Sequence, residues 1–315
     1  MISTETHLLP ATPAGIADAA ARLGKGQLVA LPTETVYGLG ADARIGEAVA
    51  EIYAAKGRPS FNPLIVHVAT PEAAKRYVDW SEAAERLAAA FWPGPLTLVL
   101  PLRRGHGIAS LVTAGLESLA IRCPAHPVAQ ALLTEFDGPV AAPSANPSGK
   151  ISPTTAAHVL QGLNGKVSAV LDGGAAEIGL ESTIVSLTGA PTLLRHGSIT
   201  ADMLAAALGA PLAEATTPAA ITAPGQLASH YAPDAALRLN ATATETGEAL
   251  LGFGAVAGAE LNLSPAGDLR EAAANLFTML RRLDETASKI AVSPVPETGV
   301  GIAINDRLKR AAAPR

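Results

Sequence analysis

The chain has 315 residues, which favours two domains, and 49% of them are hydrophobic but only 3% aromatic, so the cores must be largely aliphatic. The formal net charge of -5 is the opposite of what a protein needs to hold a nucleic-acid backbone by bulk charge. The single cysteine, Cys123, excludes an intrachain disulfide, and no Cys/His spacing is that of a zinc site.

The N-terminus and the hydropathy pattern indicate a cytoplasmic protein. Residues 1–10 contain Glu5 and lack the basic and apolar regions of a signal peptide. The most apolar run, residues 96–102, is too short to cross a bilayer and contains Pro101. We therefore expect a reducing compartment and no membrane contact.

Short strand patterns alternate with helical patterns over the first two thirds of the chain. Helices are predicted over residues 14–23, 46–56, 71–90, 127–135, 154–163 and 200–208, and strands over 27–32, 63–69, 96–101, 119–122, 140–142, 169–171, 182–187 and 191–195. Ser152 and Pro153 suit the N-cap and the first position of the helix over 154–163. Because several strands follow one another closely, the pattern predicts an α/β domain with a twisted mixed sheet over residues 1–209.

A change in composition separates this domain from the rest of the chain. Residues 210–234 have the composition of a linker, rich in Ala, Pro and Thr in its first part, and end in the segment His230–Pro233 (HYAP). Strand patterns follow over 235–239, 250–254, 260–263 and 290–295, and helical patterns over 267–286 and 303–313. They predict a small C-terminal α/β domain over residues 235–315.

Polar side chains follow the first buried strand in the segment PTETVYGLG, residues 32–40. Two hydroxyls and a carboxylate, on Thr33, Glu34 and Thr35, end the strand, and the chain is then predicted to turn through Gly38 and Gly40. Ligands of open sheets gather at strand ends, where hydroxyls and free backbone N–H groups can hold a small polar molecule. A glycine turn capped by threonine accounts for the same pattern without a ligand.

Two cations, Lys56 and Arg58, stand two residues apart at the end of a predicted helix, in the segment KGRPSFNPL. Cations at a helix C-terminus are favourable in any protein. However, Pro59 and Pro63 make this loop rigid, and a rigid Lys/Arg pair is suited to a triphosphate. The pattern therefore favours a phosphate-binding role over a purely structural one. His67 lies in the next strand, where its spacing alone favours a structural role.

Three further segments combine strand ends with polar groups. Arg122 ends an apolar strand, so it requires an anionic partner, which is either a substrate carboxylate or a carboxylate of the protein. The loop over 141–152 presents small polar side chains before a helix, which suits phosphate or ribose, although it is not a Walker A loop. Hydroxyls at the start of the strand over 182–187, and Arg195 at the end of the next strand, repeat the pattern.

Together these segments resemble the YrdC-like family. PTETVYGLG, KGRPSFNPLIVHV, FWPGPLTLVL, APSANPSGK and STIV occur in the order of the family between residues 14 and 208, and their joint occurrence is far more specific than any one of them. The Lys56/Arg58 and Ser144/Asn146 pairs match its Lys-x-Arg and Ser-x-Asn signature. The linker, the HYAP segment and the C-terminal domain resemble the long, two-domain form, the threonylcarbamoyl-AMP synthases. The resemblance implies a YrdC-like mixed sheet followed by a small Rossmann-like domain.

The resemblance also implies a nucleotidyltransferase reaction. L-threonine, bicarbonate and ATP would give threonylcarbamoyl-AMP and pyrophosphate, with Mg²⁺ expected on the ATP phosphates. A partner transferase complex would then pass the threonylcarbamoyl group to the adenosine next to the anticodon of tRNA, with at most a transient tRNA contact by this chain.

Residue roles follow from the same resemblance. Threonine would be held by Thr35, His67, Arg122, Ser182 and the backbone near Ala142. ATP would be held by Arg58, Asn62, Ser118, Ser144, Asn146, Ser152 and Arg195, with Lys56 near the phosphates. Lys56 and Arg58 would stabilise the charge of the reaction. The HYAP segment would act as a lid from which Tyr231 reaches the nucleotide, and the role implied for His67 replaces the interpretation from its spacing.

Two other functions fit parts of the pattern. An RNA-binding module could use the same sheet without chemistry, although the net charge of -5 argues against it. A relative that adenylates carbamoyl phosphate for metallocentre assembly carries zinc-finger and acylphosphatase segments. A chain with one cysteine cannot supply those fingers.

Overall fold

The computed structural model describes residues 5–214 and 229–314. The first sheet contains β1 (His7–Pro10), β2 (Val29–Leu31), β3 (Gly38–Asp42), β4 (Ile65–His67), β5 (Leu96–Pro101), β6 (Ser118–Arg122), β7 (Val140–Ala141), β8 (Ala169–Asp172), β9 (Thr183–Ser186), β10 (Thr192–Arg195) and β11 (Ala213–Glu214). Its helices are α1 (Pro13–Gly24), α2 (Gly46–Lys56), α3 (Pro71–Ala74), α4 (Glu82–Phe91), α5 (Ser110–Thr113), α6 (Pro127–Phe136), α7 (Ala156–Leu163) and α8 (Ala201–Leu208).

This 11-stranded sheet has the order β1-β8-β2-β3-β7-β4-β6-β5-β9-β10-β11. Parallel pairs such as β4/β6 and β5/β9 lie beside antiparallel pairs such as β4/β7 and β5/β6. The predicted mixed sheet is therefore confirmed. The register of β4 against β6 places His67 directly beside Arg122, so two residues far apart in the chain share one end of the sheet.

The second sheet is small and entirely parallel. It contains β12 (Ala236–Arg238), β13 (Ala249–Gly252), β14 (Leu261–Asn262) and β15 (Lys289–Val292), in the order β12-β15-β13-β14, with helices α9 (Leu269–Asp284) and α10 (Val300–Ala311). A parallel sheet with crossover helices is the arrangement expected for a Rossmann-like unit. Of the predicted linker over 210–234, residues 215–228 lie outside the described residues.

The hydrophobic core of the second sheet extends into the first part of the chain. Leu276 and Phe277 of α9 are fully buried, and the same cluster includes Val36, Ile151 and Leu180. A hydrogen bond from the Arg281 guanidinium to the carbonyl of Ile151 joins the two parts at the same place. Residues that border the predicted site thus pack against the C-terminal helices.

The prediction that the chain turns through Gly38 and Gly40 was wrong. Both glycines lie in β3, which pairs antiparallel with β2 and with β7. A Cβ atom at Gly40 would lie 2.9 Å from side-chain atoms of both Leu31 and Val140, so glycine is required here by close packing and not by a turn. Periodicity could not reveal β3 because it is buried on both faces and contains two glycines.

The predicted start of the helix over 154–163 was also wrong. The helix begins at Ala156, and Thr155 is its N-cap, with its side chain accepting a hydrogen bond from the N–H of His158. Ser152 lies outside the helix, and its hydroxyl donates to Glu181 over 2.6 Å. A buried carboxylate elsewhere in the chain thus uses the hydroxyl that the local pattern had assigned to capping.

Replacing Gly40 with alanine is expected to destabilise the fold by about 1–3 kcal/mol, because the added methyl group would overpack the contact between β2, β3 and β7. Gly46→Ala is the matched control, since nothing lies within 4 Å of a Cβ atom there. Thermal unfolding of both variants checks the prediction. Equal melting temperatures for the two variants would contradict it.

Candidate active site

A small cavity of ≈ 50 Å³ lies where the ends of several strands of the first sheet meet. Its walls come from the loops after β2, α2 and β7, from β4 and the ends of β6 and β10, from the residues just before β9 and from the segment before β12. The lining residues are Thr33, Thr35, Val36, Gly38, Arg58, Ile65, His67, Arg122, Ala142, Pro143, Ser144, Glu181, Ser182, Arg195, His230 and Tyr231. Five distant segments with suspected roles are thus brought together.

Arginines give the cavity its chemical character. Arg58, Arg122 and Arg195 all line it, and the last two are buried. Burial lowers the pKa of Arg58 to about 10 and that of Arg195 to about 10, values at which both side chains stay charged at neutral pH. Three cations around one small cavity are suited to a ligand with several negative charges.

The partner of Arg122 is a carboxylate of the protein. Its Nη2 atom lies 2.6 Å from Oε1 of Glu34, its Nη1 donates to Oγ1 of Thr35 over 2.8 Å, and its Nε donates to the carbonyl of Gly94 over 3.1 Å. Burial raises the pKa of Glu34, but the charge and hydrogen bond of Arg122 outweigh this effect and lower it overall. Of the two partners that the sequence left open, the structure contains the internal ion pair.

Hydroxyl groups next to Arg122 are held in fixed orientations. Thr33 Oγ1 donates to the carbonyl of Val36 over 2.6 Å and lies 2.7 Å from Thr35 Oγ1. Because the Thr33 proton is used on Val36, the Thr35 hydroxyl must donate to Thr33 while it accepts from Arg122. The segment predicted as a ligand-binding strand end is therefore preorganised by its own hydrogen bonds.

Ser182 and Arg195 form the opposite wall. The Arg195 guanidinium donates to the carbonyl of Ser182 over 3.0 Å and to its hydroxyl over 3.1 Å. The same hydroxyl lies 2.7 Å from Oγ1 of Thr97 on β5. The pairing of β9 with both β5 and β10 brings these three residues together.

His67 lies in the cavity wall although its spacing favoured a structural role. Burial, followed by the charge of Arg122, lowers the pKa of His67 to about 3, so its ring is neutral at physiological pH. Its Nδ1 atom has no hydrogen-bond partner among the described residues. A neutral ring with an unused nitrogen can donate to or accept from a polar ligand.

Five of the predicted site residues lie outside the cavity lining. Lys56 is buried, and its ammonium group donates to the carbonyls of Ser144 and Asn146, so it holds the polar loop after β7 from behind. Burial, and then the charge of Arg58, lower the pKa of Lys56 well below its usual range. The other four are Asn62, Ser118, Asn146 and Ser152.

These four residues have different surroundings, and that of Ser152 is the buried carboxylate of Glu181. Asn62 is buried behind Arg58, which donates to its carbonyl. Ser118 begins β6, opposite Pro101 of β5. The Asn146 amide donates to the carbonyls of Pro147 and Lys150 and so shapes its own loop.

The segment over 230–232 covers one side of the cavity. Tyr231 is 1% exposed, with a φ of 62°, and its ring lies 5.5 Å from the ring of Phe277 in α9. The N–H of Ala232 donates to the carbonyl of Gly149 over 2.8 Å, and the N–H of His230 donates to the carbonyl of Arg310 in α10. The segment is therefore held from both domains.

The sequence analysis assigned no role to two titratable residues of the cavity lining. Glu181 lies two residues before the strand that starts at Thr183, and His230 belongs to the HYAP segment but had no role assigned. A carboxylate that follows the apolar Leu180 shortly before a buried strand is the signal that could have identified Glu181, because such a group is buried only with a partner.

No group of three or more His, Cys, Asp or Glu side chains within residues 5–214 and 229–314 could hold a metal ion. No helix in these ranges is long and apolar enough to cross a membrane.

Family models and known proteins match both parts of the chain. The Sua5/YciO/YrdC family model, described as "Telomere recombination", matches residues 21–197, and the model described as "Threonylcarbamoyl-AMP synthase, C-terminal domain" matches residues 199–313. The threonylcarbamoyl-AMP synthase of Bacillus subtilis is 41% identical over 95% of this chain and 93% of its own length. That of Pyrococcus abyssi is 40% identical over 94% of each chain.

A solved structure agrees over almost the whole chain. The crystal structure of P. abyssi Sua5 complexed with L-threonine has a TM-score of 0.90 and 37% identity, and covers 98% of each chain. The likeness therefore includes both sheets and not the first one alone.

Replacing Glu34 with glutamine is expected to lower stability at neutral pH by about 3–5 kcal/mol, because it leaves Arg122 buried without its anion. The folded-state pKa of Glu34 is lowered, so its contribution is present above its ordinary pKa of 4.5 and is lost as the pH falls through the folded value. The stability difference between wild type and Glu34→Gln should therefore shrink below about pH 4.5.

Chemical unfolding at neutral pH and at successively lower pH values measures this difference. Glu297→Gln is the control, because its ion pair with Lys309 is exposed and should contribute little. A difference between wild type and Glu34→Gln that does not change with pH would contradict the assignment of the ion pair.

Proposed function

The chain belongs to the Sua5/YciO/YrdC family, and we propose that it catalyses the formation of threonylcarbamoyl-AMP and pyrophosphate from L-threonine, bicarbonate and ATP. The observation that carries the proposal is the convergence of Arg58, Arg122 and Arg195 on one cavity at the ends of the strands. Such a cavity suits a substrate carboxylate together with phosphates.

The threonine end is proposed at Arg122, Thr35, His67 and Ser182. A fixed guanidinium can receive a carboxylate, and the oxygen of an oriented hydroxyl or a nitrogen of a neutral imidazole can accept from an amine or a hydroxyl. The backbone near Ala142 lies beside them and offers carbonyl or N–H groups. The P. abyssi relative, solved in complex with L-threonine, supports this part of the proposal.

The ATP end is proposed at Arg58, Arg195 and Ser144. Lys56 would act on the phosphates through the loop that it holds, and Asn146 would act by shaping that loop. Asn62, Ser118 and Ser152 lie outside the cavity as it stands, so each would contact ATP only after the cavity opens. Tyr231 would reach the nucleotide from the covering segment.

Mg²⁺ would enter as part of the MgATP substrate. The two carboxylates closest to the site, Glu34 and Glu181, are both engaged with arginines, at 2.6 Å and 3.1 Å. The triphosphate oxygens and water are the ligands that Mg²⁺ usually keeps in nucleotide sites. The role of the protein is then to position MgATP and to balance its charge.

The chemistry requires no covalent enzyme intermediate. The threonine amine and bicarbonate give N-carboxythreonine and water, and a carboxylate oxygen of this carbamate attacks the α-phosphorus of ATP while pyrophosphate leaves. Negative charge spreads over the phosphoryl oxygens, which fixed arginines stabilise without reorganisation. Cys123 is buried, and burial raises the pKa of its thiol to about 11, which does not suit a nucleophile.

The cavity must open to admit its substrates. It measures ≈ 50 Å³, whereas a pocket for a ligand of nucleotide size requires roughly 300 Å³ or more. The segment over 230–232 carries His230 and Tyr231 into the wall, and its few main-chain hydrogen bonds make it the natural moving part. Closure would then exclude water from the short-lived carbamate.

The remaining partners belong to the proposal as well. A transferase complex would take up the threonylcarbamoyl group for tRNA, in the cytoplasm, and this chain would touch the tRNA only transiently. An RNA-binding module without chemistry is disfavoured by the net charge of -5 and by relatives, named as synthases, that align along almost their whole length.

Pyrophosphate release with L-threonine present or omitted tests the function. Wild type should release pyrophosphate only with threonine, bicarbonate and ATP together. Arg58→Ala should lose about a hundredfold or more in kcat/KM, because it removes a cation from the phosphate site, and Lys56→Ala should lose a similar factor through its loop. Arg104→Ala, an exposed cation, is the control.

The outcomes separate the parts of the proposal. If pyrophosphate is released equally with and without threonine, the proposed ATP site stands but the proposal that threonine is the substrate is wrong. A folded wild type that releases no pyrophosphate would overturn the enzyme function, and salt-dependent RNA binding by that protein would then favour the RNA-binding module.

The hydroxyl of Tyr231 provides a separate prediction. It is buried and makes no hydrogen bond with any described residue, which is costly unless a ligand supplies the partner. Tyr231→Phe should therefore raise KM for ATP by about fivefold. Tyr77→Phe, outside the cavity, is the control. An unchanged KM in Tyr231→Phe would contradict the prediction and would mean that only the ring of Tyr231, and not its hydroxyl, contributes to ATP binding.

A further inference from the structure

Arg307 of α10 is the largest fully buried side chain among the described residues, and it extends from the C-terminal domain towards the cavity. Its Nε lies 3.1 Å from Oε2 of Glu181, and its Nη1 donates to the carbonyl of His196 over 2.7 Å. Asp306 accepts from the same Nη1 over 3.0 Å. One guanidinium thus joins the C-terminal helix to two separate segments of the first domain.

Glu181 connects this contact to the cavity. It lines the cavity, and its second carboxylate oxygen accepts from Ser152 over 2.6 Å. The next residue is Ser182, which forms the wall with Arg195. A buried carboxylate in a site for phosphates would repel the ligand unless a cation neutralises it, and Arg307 is that cation.

The same guanidinium also fixes the covering segment. Its central carbon lies 5.6 Å from the centre of the Tyr231 ring, which has Phe277 at 5.5 Å as a further ring neighbour. A cation over a buried aromatic face stabilises that ring position. Tyr231 holds a φ of 62°, which is uncommon for a tyrosine, so contacts of this kind must maintain its conformation.

We propose that Arg307 is a positioning residue for the adenylation: from the C-terminal domain it neutralises and orients Glu181 and fixes the ring of Tyr231, so that the cavity binds MgATP only when the C-terminal domain is docked. The inference rests on the proposed function. It gives the C-terminal domain a direct part in substrate binding, through two contacts and without touching the reacting atoms.

The charges around Glu181 determine how a variant should respond to pH. The groups that face Glu181 are Arg307 of α10, Arg195 of β10, Ser152 before α7, and His230 and Tyr231 of the covering segment; Asp306 faces Arg307. Burial raises the pKa of Glu181, and the two arginines more than offset this, so the pKa is lowered overall. Without Arg307 the pKa must rise, and protonation at lower pH should remove the repulsion of ATP.

The test compares full-length Arg307→Met, Arg307→Lys, Glu181→Gln and the double variant Arg307→Met/Glu181→Gln with wild type. Threonine-dependent pyrophosphate release gives kcat and the KM for ATP. Calorimetry gives the dissociation constant of MgATP, and thermal unfolding shows whether each variant is folded. Lys309→Met is the matched control, because it removes an exposed cation from the same helix.

We expect Arg307→Met to raise KM for ATP by about tenfold or more with a smaller change in kcat. Arg307→Lys keeps the charge but loses the fork that reaches three acceptors, so its KM should rise by about threefold. The double variant should lie between Arg307→Met and wild type. The ratio of KM between Arg307→Met and wild type should fall as the pH is lowered from about 8 to about 6.

Three results would contradict the proposed role of Arg307 or the function on which it rests. If Arg307→Met is folded and its KM lies within about twofold of wild type, or if its loss of activity follows only its loss of folded protein, the positioning role is overturned. If it does not fold, Arg307→Lys and the double variant decide, and KM values within about twofold of wild type in both overturn the proposal. If wild type binds MgATP but releases no pyrophosphate, the proposed function fails, and the dissociation constants still decide the role of Arg307.

Discussion

Burial of several cations around one small cavity is the constraint on which the rest of this structure depends. Arginines placed side by side without water repel one another, and each loses its hydration. The protein offsets this cost with buried carboxylates: Glu34 lies against Arg122, and Glu181 against Arg307. Glu34 lies outside the cavity lining, and Glu181, which belongs to the lining, is neutralised by Arg307. The cavity therefore still presents positive charge to a ligand. The sheet supplies the positions, because the ends of neighbouring strands meet there.

The wall of the cavity and the segment that covers it are held in different ways. The wall residues, such as Thr35 and Ser182, use their hydroxyls on fixed neighbours within the sheet. The covering segment is held by a few main-chain hydrogen bonds and by ring packing of Tyr231 on the C-terminal helices. In the proposed reaction, a fixed wall would preorganise charge for the transition state, and a separately held cover would allow substrates to enter. The second domain thus holds the segment that covers the cavity of the first.

Much of the fold could be predicted from local patterns, and the failures have identifiable causes. The helices over α1, α2 and α6 follow apolar periodicity and simple end signals, which are properties of neighbouring residues. Strand β3 was missed because burial on both faces removes alternation and because close packing of Gly40 resembles a turn signal. Ser152 was assigned to a cap because nothing local reveals a carboxylate 29 residues away that binds its hydroxyl.

The amino-acid sequence by itself determined the family, the mixed α/β class and the segments from which the site is built, because motif order and periodicity are written along the chain. It could not determine which anion balances Arg122, that Lys56 holds a loop from behind the cavity, or that Arg307 reaches Glu181. These facts depend on strand register and domain docking, which join residues from 88 to 126 positions apart. Electrostatic pairing acts through space over a few ångströms, so only the tertiary structure decides which charges meet.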